Sequence, residues 1–300
     1  MSRHEHRRHT RHVTQGGSVY ERAVHEMNDV LYDAYGQDWD HLRIERLSGV
    51  IEQMKLRVER ADDSDRPARV IALLLLQAPR AARAQDAMDK RHGHGYHHRS
   101  KRLYELIDFN DTFVDAVLSL GREHRRDFVQ TTYTLMQDVC RRARTHMFTY
   151  EQFEAIAHGL SREIAVYLGA QTEGFEVHMT SRVADGLGVD MQIRQPATGR
   201  YINIDCKTTS AYGHRVSTLE YEGRISERAA TLALAKGYIR IANGRGDERV
   251  LVVLFRVTHE IIGDIRNFEF TETRILAQKL DEMIAAYGEA GDGFYRYVED

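Results

Sequence analysis

Residues 188–210, GVDMQIRQPATGRYINIDCKTTS, constrain the fold more than any other stretch of the chain. Val189, Met191 and Ile193 alternate with Asp190, Gln192 and Arg194. Ile202, Ile204 and Cys206 alternate with Tyr201, Asn203, Asp205 and Lys207. A period of two is that of a half-buried strand. Between the two runs, Pro196-Ala197-Thr198-Gly199 supplies turn chemistry: proline pre-sets φ, and glycine reaches positive φ without strain.

A four-residue loop over 196–199 closes an antiparallel hairpin with a definite register. Gln195 then faces Arg200, Arg194 faces Tyr201, Gln192 faces Asn203, and Asp190 faces Asp205. Both carboxylates fall on the polar face, and Lys207 joins them about 7 Å further along its strand. Like charges opposite one another on a sheet destabilise it, so something must neutralise them. A hard divalent cation, which favours carboxylate oxygen, is the simplest candidate.

Paired acids followed by a lysine two residues on resemble the PD-(D/E)xK nucleases, the restriction-endonuclease-like superfamily. Val189-Asp190 and Asp205-Cys206-Lys207 carry the resemblance, with valine where the family usually has proline before its first Asp. Many members also carry a Glu on the helix before the first core strand, and Glu163 stands at that place. The resemblance covers roughly residues 149–257. It implies an α/β/α core with a mixed central sheet. It also implies Mg²⁺, with Mn²⁺ as a substitute, held by Asp190, Asp205, the Cys206 carbonyl and Glu163. Asp190, Asp205, Glu163 and Lys207 would be the catalytic set, with Lys207 positioning water or offsetting charge. A lysine of ordinary pKa is protonated at neutral pH and is no simple general base.

Each of these residues also has an ordinary explanation. Asp190 and Asp205 could pair with an arginine such as Arg194, Lys207 could bridge the two acids, and Glu163 could lie on a helix surface. Three function classes therefore stand side by side. The first is a metal-dependent DNA endonuclease, with a restriction or defence role ahead of repair on fold analogy. The second is a catalytically inactive nuclease-fold protein that binds nucleic acid or serves as a scaffold. The third is an acid-pair hydrolase acting on sugars, which the lysine beside Asp205 disfavours.

Composition bounds the rest. Among 300 residues, 42% are apolar and 29% charged, which describes a globular chain rather than a disordered one. The apolar run over 70–78 is too short to span a bilayer, and no apolar segment follows the basic N-terminus as a secretory signal requires. Two cysteines, Cys140 and Cys206, offer no disulfide framework. The expectation is a cytoplasmic protein that meets DNA and no membrane, with a homodimer admissible. Residues 1–148 hold 25 Lys and Arg against 22 Asp and Glu, the remainder 17 against 23. The basic balance falls where a nucleic-acid surface helps, and the acidic balance where the metal is placed.

The chain is expected to divide into a disordered basic, His-rich tail over 1–17, a helical region over 18–148 for recognition or partner binding, and the nuclease-like part over 149–300. Capping boxes at Ser18/Glu21 and Thr149/Gln152 start helices. Further helices are expected over 40–60, from Pro67 to 88, and over 103–120, 122–145 and 226–242, with a last one from 271 to 287. The helix from Thr149 should stop near Gly169. The basic stretch 90–102, KRHGHGYHHRSKR, reads as a loop whose Arg91, Arg99, Lys101 and Arg102 could grip a nucleic-acid backbone, or as an ordinary surface connection. Residues 174–180 read as a strand, 208–222 as a polar loop at the cleft, and 249–258 as a strand buried on both faces.

Overall fold

The structure is a computed structural model and describes residues 18–36, 43–89, 100–180, 184, 186–244 and 249–291. The two capping boxes form as their spacing demands. Ser18 accepts from the Glu21 N–H and starts α1 (Val19–Tyr35). Thr149 and Gln152 exchange the same pair of bonds further along the chain. Between them lie α2 (Leu47–Glu59), α3 (Arg66–Asp89), α4 (Ser100–Ser119), α5 (Arg122–Arg125) and α6 (Phe128–Arg142). The helix expected over 40–60 is shorter, entered by a single 3-10 turn at Ile44–Arg46. The helix expected over 122–145 is broken between Arg125 and Phe128.

The middle of α3, residues 70–79, is buried on all sides, with Val70, Ile71, Ala72 and Leu74 fully buried. A helix of that composition belongs inside a bundle. It packs against α1, α2, α4 and α6. Burying four such side chains contributes on the order of 1.5–3 kcal/mol each for the larger three.

α7 (Tyr150–Thr172) joins this bundle to the sheet. Its Phe153, Ala157, Leu160 and Ile164 belong to the helical core, and its Ala165, Val166 and Ala170 to the sheet core. α7 does not stop at Gly169. It runs one turn further, because Gly169 is used for close packing: a Cβ there would lie 2.7 Å from Leu276 Cδ2.

Among the described residues one five-stranded sheet follows, in the order β1-β2-β3-β5-β4. Its strands are β1 (Glu176–Met179), β2 (Met191–Arg194), β3 (Tyr201–Lys207), β4 (Tyr238–Asn243) and β5 (Val250–Arg256). β3 and β5 are parallel and the other neighbours antiparallel. Helices α8 (Thr209–Tyr221) and α9 (Glu227–Lys236) lie between β3 and β4 in the chain. They cover one face of the sheet through Tyr212, Val216, Leu219, Ala230 and Ala233. α7 covers the other, together with a last helix introduced below.

Two expectations fail here. Residues 208–222 form α8 rather than a loop: Tyr212, Val216 and Leu219 recur at helical spacing and are all fully buried. The helix expected over 226–242 ends at Lys236, where Gly237 takes the left-handed conformation and β4 begins. Beyond β5 come α10 (His259–Ile262), the short hairpin β6 (Ile265–Arg266) and β7 (Glu269–Phe270), and α11 (Arg274–Tyr287). Both turn residues of that hairpin, Asn267 and Phe268, have positive φ. A bulky residue is strained there. Phe268 is held by the helical core instead, its ring centroid 6.1 Å from those of Phe113 and Phe128. Among the described residues no helix is long and apolar enough to cross a membrane.

Candidate active site

The hairpin register is the one the alternation predicts over its length: Arg194 faces Tyr201 and Gln192 faces Asn203. The ladder ends at Met191 and Ile204, so the expected facing of Asp190 and Asp205 is not part of it. Asp190 lies just before β2, where its N–H donates to the Ile204 carbonyl at 2.9 Å. The polar face is not half-exposed as expected, and α8 packs against β3 and β5. Gln192, Asn203 and Asp205 are buried. Gln192 Nε2 donates to Asn203 Oδ1 at 3.2 Å, and Asn203 Nδ2 to the Leu251 carbonyl at 3.0 Å, so the pair is satisfied without water.

At the C-terminal end of β3 a pocket of about 310 Å³ brings together Glu163, Asp190, Cys206, Lys207 and Thr208. Lys207 Nζ pairs with Asp205 Oδ1, whose side chain is only 5% exposed. The Cys206 N–H donates to Asp190 Oδ2 at 2.7 Å, which fixes that carboxylate against the strand. Glu163 is half-buried on α7, at the edge of its apolar stripe. Gly188 permits the approach of this loop: its φ is +76°, and a Cβ would lie 2.6 Å from Asn243 Nδ2 and 3.7 Å from Asp205 Oδ2. Asn243 in turn donates to the Leu187 carbonyl and accepts from Arg215, which ties the loop to β4.

The electrostatics follow from this crowding. Withdrawal from water raises the Asp190 carboxyl, while Lys207 and the Cys206 N–H pull it back down. Burial alone would lower the Lys207 ammonium, but the charges of Asp205 and Asp190 outweigh it and hold it above its ordinary value. The Cys206 thiol is pushed well up, by burial first and then by the charges of Asp190, Glu163 and Asp205. Three carboxylates and one ammonium thus act on a single residue.

The donor set suits a hard cation in kind, being carboxylate oxygens and a backbone carbonyl. Its placement is looser: among the described residues no three His, Cys, Asp or Glu side chains converge closely enough to hold a metal ion. The cation that Asp205 faces is Lys207, so the ordinary reading of that lysine as an ion-pair partner is part of the arrangement. Arg194 lies at the far end of β2 and donates to the Gly291 carbonyl.

The other wall of the pocket comes from α4, as Asn110, Asp111 and Val114. The Asn110 Oδ1 is buried and takes no hydrogen bond. The sequence gives no sign of this, since Asn110 and Asp111 read as ordinary polar helix positions. Of the basic stretch, Arg91 and Arg99 lie outside the described residues. Lys101 and Arg102 fall in the first turn of α4, with side chains outside the described part. No family model, no curated protein and no solved structure matches the chain.

Proposed function

We propose that this chain is a Mg²⁺-dependent endonuclease of the restriction-endonuclease-like PD-(D/E)xK type, hydrolysing phosphodiester bonds of DNA. The observation that carries the reading is the meeting of Glu163, Asp190 and Lys207 in one pocket, with Asp205 paired to that lysine. The mixed sheet supports it, since the acids stand on an antiparallel hairpin whose second strand has a parallel neighbour and helices on both faces.

The residues divide the work of phosphodiester hydrolysis. Lys207, held protonated by its neighbours, presents positive charge to a non-bridging phosphate oxygen. The first turn of α8, at Thr208 and Ala211, lines the same pocket, and the N-terminal end of a helix favours an anion. Asp190 keeps Oδ2 on the Cys206 N–H, which orients the carboxylate and leaves Oδ1 to bind. Asp190, Glu163, Asp205 and the Cys206 carbonyl would hold the divalent cation, which lowers the pKa of bound water and offsets the charge of the transition state. A restriction or defence role rests on fold analogy.

Incubation of supercoiled plasmid with the purified protein in Mg²⁺, in Mn²⁺ and in EDTA tests this reading. Nicking or linearisation that needs the metal is expected. One observation favours a second reading, a nuclease-fold protein that binds nucleic acid or serves as a scaffold: Lys207 already neutralises Asp205, and no three-ligand group is formed among the described residues. Retardation of DNA with no cleavage in either metal would decide for it.

A further inference from the structure

A second pocket, of about 390 Å³, opens beside the first and is lined by Arg126, His158, Ser161, Arg162, Thr258 and His259 among others. The two have no lining residue in common and are linked through α7 and the ends of β3 and β5. Arg162 precedes Glu163 on α7, and the Val257 N–H donates to the Lys207 carbonyl at 2.9 Å. The charge balance of the second pocket is uneven. Glu269 pairs with Arg125 at 2.9 Å and with Arg122 at 3.0 Å, and Asp264, a carboxylate on the pocket wall, lies 2.7 Å from His259 Nδ1, an ion pair only when that imidazole is protonated. Arg162 has no such partner among the described residues. It is half-buried and spends two donors on carbonyls, Nε on Val257 at 3.0 Å and Nη1 on His158. Arg126 is exposed at the rim, with no ion pair among the described residues. A guanidinium partly withdrawn from water without a counter-charge is costly unless an anion arrives.

We propose that this pocket binds a backbone phosphate of the nucleic-acid strand, one subsite along from the carboxylates, with Arg162 and Arg126 as its charged donors and Ser161 and Thr258 as neutral ones. The proposal rests on the nuclease reading for the identity of the strand. Arg162 is fixed by its two carbonyls, and so forms a rigid donor rather than a flexible surface charge. His158 reports the same positive field: its imidazole is held below its ordinary value by withdrawal from water and then by the Arg162 charge, against Glu154.

The test uses the full chain in EDTA, as wild type, Arg126→Gln and Arg126→Gln/Arg162→Gln. Binding to a short fluorescein-labelled duplex is followed by anisotropy across a salt series, and melting temperature is read with sodium phosphate against sodium chloride at equal ionic strength. The expected result is an affinity loss of about tenfold in the double variant. The slope of log affinity against log salt should shrink by about 0.9, as for one phosphate contact. Phosphate should raise the melting temperature of wild type and not of the double variant. Arg126→Gln removes no internal contact, so a smaller loss in the same direction guards against misfolding of the double variant. Affinity and slope unchanged in both variants would overturn the proposal, even if the plasmid is cleaved. Stabilisation by phosphate with DNA binding unchanged would also overturn it, and would assign the pocket to a free phosphate compound. Loss of affinity and slope in a protein that cleaves nothing would sustain the subsite while sinking the catalytic reading.

Discussion

Removal of the Lys207 ammonium should destabilise the metal-free protein, and the cost can be bounded from the structure. The sequence alone suggests that Asp205 and Lys207 face a cleft, so that packing survives either substitution. The structure corrects this, because the Asp205 side chain is 5% exposed and that of Lys207 31%. Stranding one charge of a fully buried pair costs about 3–5 kcal/mol, and breaking a surface pair about 0–1 kcal/mol. Water reaches the lysine end here and can partly replace it, so Lys207→Ala should cost about 2–3 kcal/mol at neutral pH. At about 2 °C per kcal/mol for a chain of this size, its melting temperature should fall by about 4–6 °C. Asp205→Asn/Lys207→Ala should recover part of that loss, because the Asp205 charge is no longer left buried; Asp190 still loses the Lys207 charge. Thermal melts of the four proteins of the cycle, followed by circular dichroism in EDTA, measure the coupling. If Lys207→Ala melts with wild type, or the double variant shows the sum of the single losses, the buried ion pair does not hold as described.

Three further outcomes follow from the same geometry. Asp190→Asn should stabilise the metal-free protein near neutral pH. A carboxyl raised in the folded state contributes stability below its unfolded value of about 3.9, and loses it as pH rises through the raised value. Melts in EDTA should show the gain at pH 7 and its disappearance in acid; a gain confined to acid would reverse the sign. Gly188→Ala should cost about 1–2 kcal/mol through positive φ alone, with more from displacing Asn243, and a chemical-denaturation midpoint equal to wild type would contradict this. Both thiols should resist modification by a disulfide reagent at neutral pH in the native state, Cys140 because burial lifts it to about 11 and Cys206 because burial and then three carboxylates push it well up. Rapid reaction of either thiol in the folded protein would refute the corresponding environment.

The hairpin was legible because strand alternation and a Pro-to-Gly turn leave little freedom in register. The burial of the polar face was not, because Gln192 and Asn203 look the same in water as when buried and bonded to each other. α8 was within reach of the sequence: Tyr212, Val216 and Leu219 keep helical spacing, but the surrounding hydroxyls and Gly213 hide it. β4 was lost because the alanine-rich helix before it runs into Tyr238-Ile239-Arg240-Ile241 with only Gly237 to mark the stop. Glu163 could be placed from its angle on the α7 stripe, which is a local property. Asn110 and Asp111 reach the pocket only through the docking of α4 on α7, a long-range contact with no local signature. The same holds for Phe268, which accepts an unfavourable backbone conformation for packing supplied by a distant part of the chain.

The proposed cleavage of DNA at the pocket at the end of β3 depends on its carboxylates. The most direct measurement is the nicking rate of supercoiled plasmid in Mg²⁺ for wild type, Asp190→Asn and Glu163→Gln, with EDTA as the metal-free arm. Neither substitution strands the Asp205–Lys207 pair, so both proteins should fold. Wild type should nick the plasmid only with metal, and both variants should be slower by about 10- to 100-fold or more. Equal rates in the variants, or undiminished nicking in EDTA, would contradict the assignment.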